Sequence, residues 1–139
     1  MTSPATFLYT RRIEFADTDA AGVAHFSRLL VMVEEAEHAF FRSLKIPILN
    51  KETAWPVVAL DISYFLKCEF GDELTIGIHP LKMGNSSFTY AFKSTCLNDG
   101  KSVDVFKGTI TKCHIDPRQG LPAPIPESFR HFIFKSSAV

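Results

Sequence analysis

The sequence predicts an α+β fold of order β-α-β-β-β-β, and three observations carry that prediction. Residues 26–45 repeat their apolar side chains at the three- and four-residue intervals of a helix. Residues 58–70 alternate apolar and polar side chains, as a strand with one buried face does. Asn98-Asp99-Gly100-Lys101 separates two further alternating runs, and Asp-Gly suits the positive backbone angles of a tight hairpin. A helix with an apolar stripe and a sheet with one apolar face bury each other.

In chain order, Phe7 to Asp17 places Phe7, Tyr9, Ile13 and Phe15 on one side and reads as the first strand. A turn follows over Asp17 to His25. Phe26, Leu29, Leu30, Val33, Ala36, Phe40 and Leu44 then form one helical stripe, with Glu34, Glu35, His38 and Arg42 on more polar faces. Pro47 is predicted to stop this helix. Residues 48–56 connect without a clear period. Val58, Leu60, Ile62, Tyr64, Leu66, Cys68 and Phe70 alternate so cleanly that one face is expected against a core; the run exceeds the usual strand length, so a bend or bulge is expected within it. Gly71-Asp72-Glu73 is a turn, Leu74, Ile76 and Ile78 mark a third strand ended by Pro80, and Met83 to Ser86 reads as a loop or bulge. Phe88, Tyr90 and Phe92 mark the fourth strand and Val103 to Ile115 the fifth. Glu127 to Phe134 follows a proline-rich stretch and reads as a short helix.

The 139 residues suit one domain, 1–139, with no internal repeat. Fifteen acidic residues balance fifteen basic ones, so no overall field draws nucleic acid or an anionic membrane. No apolar run reaches bilayer-spanning length, and the N-terminal segment lacks a signal core, so a cytoplasmic protein is expected. Cys68, Cys96 and Cys113 form no CxxC pair and leave one over if two bridge, which fits buried thiols in a reducing compartment. Thirteen Phe residues are many for this length, and aromatic side chains are enriched in subunit interfaces.

The chemistry concentrates in Asp17-Thr18-Asp19-Ala20-Ala21-Gly22-Val23-Ala24-His25-Phe26. A helix start offers unsatisfied N–H groups and a partial positive charge, able to hold an oxyanion. A carboxylate a few residues away can act as nucleophile or general base. The same residue types also make an ordinary capped turn, and spacing alone leaves both readings open. His25 with Asp17 and Asp19 lacks a second His at metal-ligand spacing, so no metal is expected.

Ile13-Glu14-Phe15-Ala16-Asp17-Thr18-Asp19-Ala20-Ala21-Gly22-Val23-Ala24-His25-Phe26 resembles the opening motif of the 4-hydroxybenzoyl-CoA thioesterase family of hotdog-fold enzymes. Trp55-Pro56-Val57-Val58, leading to Tyr64-Phe65 and Gly71-Asp72-Glu73-Leu74, is similar to the family's next element. The resemblance covers about residues 8–116. It implies a curved antiparallel sheet wrapped around a long central helix, and a homodimer or homotetramer with sites at the subunit boundary. The implied activity is hydrolysis of a small, benzoyl-type or dihydroxynaphthoyl-type acyl-CoA to free acid and CoA, with no cofactor. Asp19 matches the catalytic acid, as nucleophile or general base; Asp17 has the weaker claim to that role and reads instead as bracing the turn, a common role for Asp. Phe26 matches the oxyanion donor through its backbone N–H. His25 stands one place before the His of many relatives; it lines the pocket or adjusts Asp19, or is an ordinary hydrogen-bonded His. Lys82, Asn85 and Ser86 sit where relatives touch the CoA phosphates, a solvated loop being the other reading. The alternatives on the same architecture are an acyl-CoA dehydratase and a non-catalytic acyl-CoA-binding protein.

Overall fold

A computed structural model describes residues 5–134; residues 1–4 and 135–139, the ends of the expected 1–139 domain, lie outside the described residues. The elements are β1 (Phe7–Arg12), α1 (Phe26–Ser43), β2 (Val57–Tyr64), β3 (Glu73–Met83), β4 (Ser87–Asn98), β5 (Lys101–Cys113), the short pair β6 (Ile115–Asp116) and β7 (Leu121–Pro122), and α2 (Glu127–Phe134). The five long strands form one antiparallel sheet in the order β1-β3-β4-β5-β2. Helix α1 lies across this sheet and packs on β1 and β3, the hotdog arrangement that the sequence resemblance implies.

The apolar stripe of α1 buries Leu29, Met32, Val33, Ala36, Phe40 and Phe41 against Ile76 and Ile78 of β3, Phe88 and Tyr90 of β4, and Phe106 and Ile110 of β5. At the far end of the helix, Phe41, Trp55, Phe88 and Phe129 form an aromatic cluster that seats α2, with Trp55 and Phe129 stacked at 4.5 Å. No helix among the described residues is long and apolar enough to cross a membrane.

Four local readings are corrected. The helix stops at Ser43, before Pro47, because Lys45 turns left-handed (φ 58°) and the N–H groups of Lys45 and Ile46 satisfy the carbonyls of Arg42 and Phe41. Strand β1 ends at Arg12, and Phe15–Asp17 is a single 3-10 turn. Strand β3 runs through Pro80 to Met83; a register shift between Pro80 and Lys82 accommodates the missing donor. The long 58–70 alternation is interrupted as expected, by a bulge between Val57 and Ala59 and by the end of the strand at Tyr64, but its apolar face meets the core only in part: Ile62 packs against it and Cys68 is buried in it. Val58 is 62% exposed, and Leu60 and Tyr64 are exposed beside it: they share the face of Phe106 and Ile110, but β2 is an outermost strand and α1, which packs on β1 and β3 at the other margin of that face, leaves it uncovered.

Strand β2 approaches β5 very closely at one point. A Cβ placed on Gly108 would stand 1.9 Å from the Asp61 carbonyl oxygen and 2.8 Å from Phe92, so this crossing accepts only a hydrogen atom. The hairpin between β4 and β5 turns at Asp99 (φ 52°) and Gly100 (φ 78°), the left-handed pair anticipated from Asp-Gly. Cys68 is buried but lies in the bend after β2 rather than in a strand, and burial pushes its thiol up to about 12.

Candidate active site

The connection from β1 to α1 is a closed loop built from its own hydrogen bonds. The Asp17 N–H donates to the Glu14 carbonyl at 3.0 Å, and the Asp17 carboxylate accepts the Glu14 N–H at 2.8 Å, tightening the 3-10 turn. Beyond it the chain doubles back: the Asp19 N–H donates to the Val23 carbonyl at 2.9 Å, and Gly22 makes the reversal with φ 77°. The outer limb of the loop is stitched to the segment after β2, where Ala24 donates to Cys68 and Phe70 donates to Gly22.

This folding displays Asp19 and hides Asp17. Asp19 is exposed, and its Oδ1 accepts the N–H groups of Ala21 (2.9 Å) and Val23 (3.3 Å). One oxygen is thereby anchored, and Oδ2 has no hydrogen-bond partner among the described residues. Asp17 is 1% exposed and is gripped by Arg11 of β1 through both oxygens and by Arg28 of α1 at 2.9 Å. Burial pushes the Asp17 carboxyl up, but hydrogen bonds from Arg11, the Glu14 N–H and Arg28 outweigh it and hold the group at about 2.

His25 is the N-cap of α1. Its Nδ1 accepts the Ser27 N–H at 3.3 Å, its carbonyl accepts those of Arg28 and Leu29, and its ring stacks on Phe26 at 4.6 Å. Accepting at Nδ1 leaves the neutral ring's proton on Nε2. Of the first-turn donors, His25 therefore occupies three; the Phe26 N–H has no intrahelical acceptor and stands at the positive end of the helix. The Phe26 side chain is 59% exposed, so the same residue offers an open aromatic face.

Lys82 does not lie in a loop: it is an exposed residue of β3 paired with Thr89. Asn85 and Ser86 form the β3–β4 turn, and their carbonyls are occupied by Ile125, Arg130 and His114. One chain does not bring this turn to Asp19. The Asp19 loop leaves β1 beside Glu73, whereas the turn follows Met83 at the other end of β3, about 30 Å away at ~3.3 Å per residue. A groove of about 580 Å³ lies elsewhere, lined by Leu8, Gly77, Lys93, Lys107 and Gly108, and it touches none of Asp19, His25 and Phe26.

Sequence reasoning missed Arg11, Arg28 and the buried pair Glu37 and Lys112. Lys112 continues the alternation Phe106, Gly108, Ile110 and thus faces α1, where Glu37 receives it one turn after Val33. That periodicity was the available signal.

The chain is 33% identical over 125 residues to a 1,4-dihydroxy-2-naphthoyl-CoA hydrolase of Acaryochloris marina, covering 86% of this chain and 90% of that one. It is 34% identical over 100 residues to the Trichodesmium erythraeum protein of the same name, covering 69% and 72%. Among solved structures, a 1,4-dihydroxy-2-naphthoyl-CoA thioesterase from Synechocystis superposes with a TM-score of 0.86 at 23% identity, over 97% of this chain and 100% of that one. The 4-hydroxybenzoyl-CoA thioesterase of Pseudomonas sp. strain CBS-3 superposes with a TM-score of 0.80 at 18% identity, over 91% and 98%. These last two matches concern the fold. A family model matches residues 13–133, and on that match the chain belongs to the Thioesterase-like superfamily.

Proposed function

We propose that this protein is an acyl-CoA thioesterase that hydrolyses an aromatic acyl-CoA, with Asp19 as nucleophile or general base and the Phe26 N–H as oxyanion donor. The observation that carries the reading is the junction itself: an exposed carboxylate with one anchored oxygen and an unused helix-terminal N–H leave the same closed loop. The names of the relatives supply the substrate class, and 1,4-dihydroxy-2-naphthoyl-CoA is the first candidate. In the general-base route, Asp19 takes a proton from water as the water oxygen attacks the acyl carbon. In the nucleophilic route, Asp19 attacks that carbon and water cleaves the resulting anhydride. In both, the C–S bond breaks, the sulfur leaves as CoA thiol and the acyl group leaves as free acid. The carbonyl oxygen gains negative charge in the transition state, where a fixed N–H stabilises it most. We assign His25 the task of capping the neighbouring donors so that only the Phe26 N–H faces the reacting group.

A homodimer completes the site. Antiparallel pairing of β2 with β2 of a second copy removes the exposed edge and continues the sheet, so that the second copy stands alongside Val58, Leu60 and Tyr64. It sets the Val57 end of one copy beside the Tyr64 end of the other. Tyr64 reaches Phe26, donating weakly to its carbonyl at 3.5 Å, while Val57 lies opposite Lys112 and, one strand further, Phe88. The β3–β4 turn of the second copy, with Lys82, Asn85 and Ser86, is thereby carried towards Asp19, where it can meet the CoA moiety. That the three cysteines are unpaired accords with a cytoplasmic location.

Thiol release across a panel of acyl-CoAs tests the function. Free thiol is expected from 1,4-dihydroxy-2-naphthoyl-CoA and benzoyl-type thioesters, at higher kcat/KM than from short aliphatic ones. Ligand binding without thiol release, or consumption of a hydroxyacyl-CoA without it, overturns the reading. Phe26→Pro tests the donor. Proline is favoured at the first helical position, and His25 already has the extended backbone (φ −68°, ψ 141°) that must precede it. The helix is expected to persist while kcat falls by about 10²- to 10³-fold. Phe26→Ala, which keeps the N–H, separates this loss from that of the ring.

A further inference from the structure

Both reacting groups are attached to one buried residue. The chain reaches Asp19 two residues after Asp17, and the Asp17 carbonyl accepts the His25 N–H at 3.0 Å, immediately before Phe26. Asp17 is therefore the point from which the carboxylate and the oxyanion donor both extend. Its side chain, 1% exposed, cannot touch substrate. It is instead held from two elements: Arg11 on β1, which also donates to Glu35 of α1 at 3.0 Å, and Arg28 on α1, whose Nε and Nη2 both reach Oδ1.

Such a cluster is an inefficient way to gain stability, since burying charges costs about what their attraction returns. Its geometry is informative in another way. Forked guanidinium contacts fix direction as well as distance, and here they join the sheet, the loop and the helix at one carboxylate. We propose that Asp17 is a positioning residue, clamped by Arg11 and Arg28, that sets the separation of the Asp19 carboxylate and the Phe26 N–H. The inference rests on the thioesterase reading above and adds to it a buried carboxylate, kept from the acyl group, and the two arginines that hold it.

The test measures kcat and KM for thiol release from the best aromatic acyl-CoA, with the folded fraction of each variant read by circular dichroism. Asp17→Asn keeps the shape of the side chain and removes its charge. Its kcat per folded molecule is expected to fall by about 10- to 10²-fold, the loss typical of a reacting group displaced by about an ångström, with KM changed less than about threefold. In the Asp19→Asn background the same substitution is expected to add no further loss, because the group it positions is already gone. Arg28→Gln leaves Arg11 in place and provides a second route if Asp17→Asn does not fold; it is expected to lower kcat in the same sense, with Arg28→Lys recovering part of the loss. A folded Asp17→Asn or Arg28→Gln with wild-type kcat overturns the inference, as does a full loss that persists in the Asp19→Asn background. A wild-type protein that releases no thiol from any member of the panel overturns the thioesterase reading itself, so the two failures are distinct.

Discussion

Asp19→Asn is expected to lower kcat by about 10²- to 10⁴-fold, the range for removing a positioned base, while leaving the fold intact. The amide oxygen of asparagine can accept the same N–H groups, from Ala21 and Val23, that now bind the Asp19 Oδ1. The loop should therefore close as before, and because the site is exposed the change in stability is expected to stay within about 0.5 kcal/mol. What disappears is the negative charge on the second oxygen, which either route of hydrolysis requires. Single-turnover thiol release together with urea unfolding checks both halves. Wild-type turnover in a folded Asp19→Asn protein removes Asp19 from the chemistry.

The second large effect concerns the core. Glu37 is 2% exposed and accepts the Tyr90 hydroxyl at 2.6 Å and the Lys112 ammonium on its other oxygen. Burial and the neighbouring Glu37 carboxylate push the Tyr90 phenol up, so it remains a donor. Glu37→Leu strands the Lys112 ammonium among apolar side chains and leaves the phenol without its acceptor. The expected cost is about 3–5 kcal/mol, set against total stabilities of about 5–15 kcal/mol for ordinary domains. Adding Lys112→Met is expected to recover most of it, because removing both charges avoids an uncompensated ion. Urea midpoints of the single and double variants give the answer; a Glu37→Leu protein as stable as wild type contradicts the buried pairing.

What the sequence made legible was local. The α1 stripe, the Asp99-Gly100 hairpin and the Glu127–Phe134 helix each depend on neighbours within a few positions, and each is found in the structure. The loop from Ile13 to Phe26 was readable as a chemical unit because its carboxylates and helix start lie close along the chain. What escaped depends on partners far apart in sequence. Glu37 and Lys112 are 75 positions apart, and neither residue type suggests burial until the other is placed beside it. Arg11 and Arg28 read as ordinary surface cations until Asp17 is seen between them. The β2 alternation showed correctly that one face is apolar, but alternation does not say what covers that face. Strand order decided that, by placing β2 at the margin, away from α1. Lys82 was misplaced for a related reason: proline ends a strand only where its missing donor is needed, and the shift beside Pro80 removes that need.

Where β2 crosses β5, the Asp61 carbonyl oxygen occupies the space that any side chain at position 108 would fill. Mutational drift at this position is therefore closed even though nothing reactive happens there. Widening the crossing by one methyl group would push the outermost ribbon away from its neighbour, and with it the seam along which a second copy would attach. Selection on a lone hydrogen atom near the margin of the sheet would then look, from activity measurements alone, like selection on catalysis.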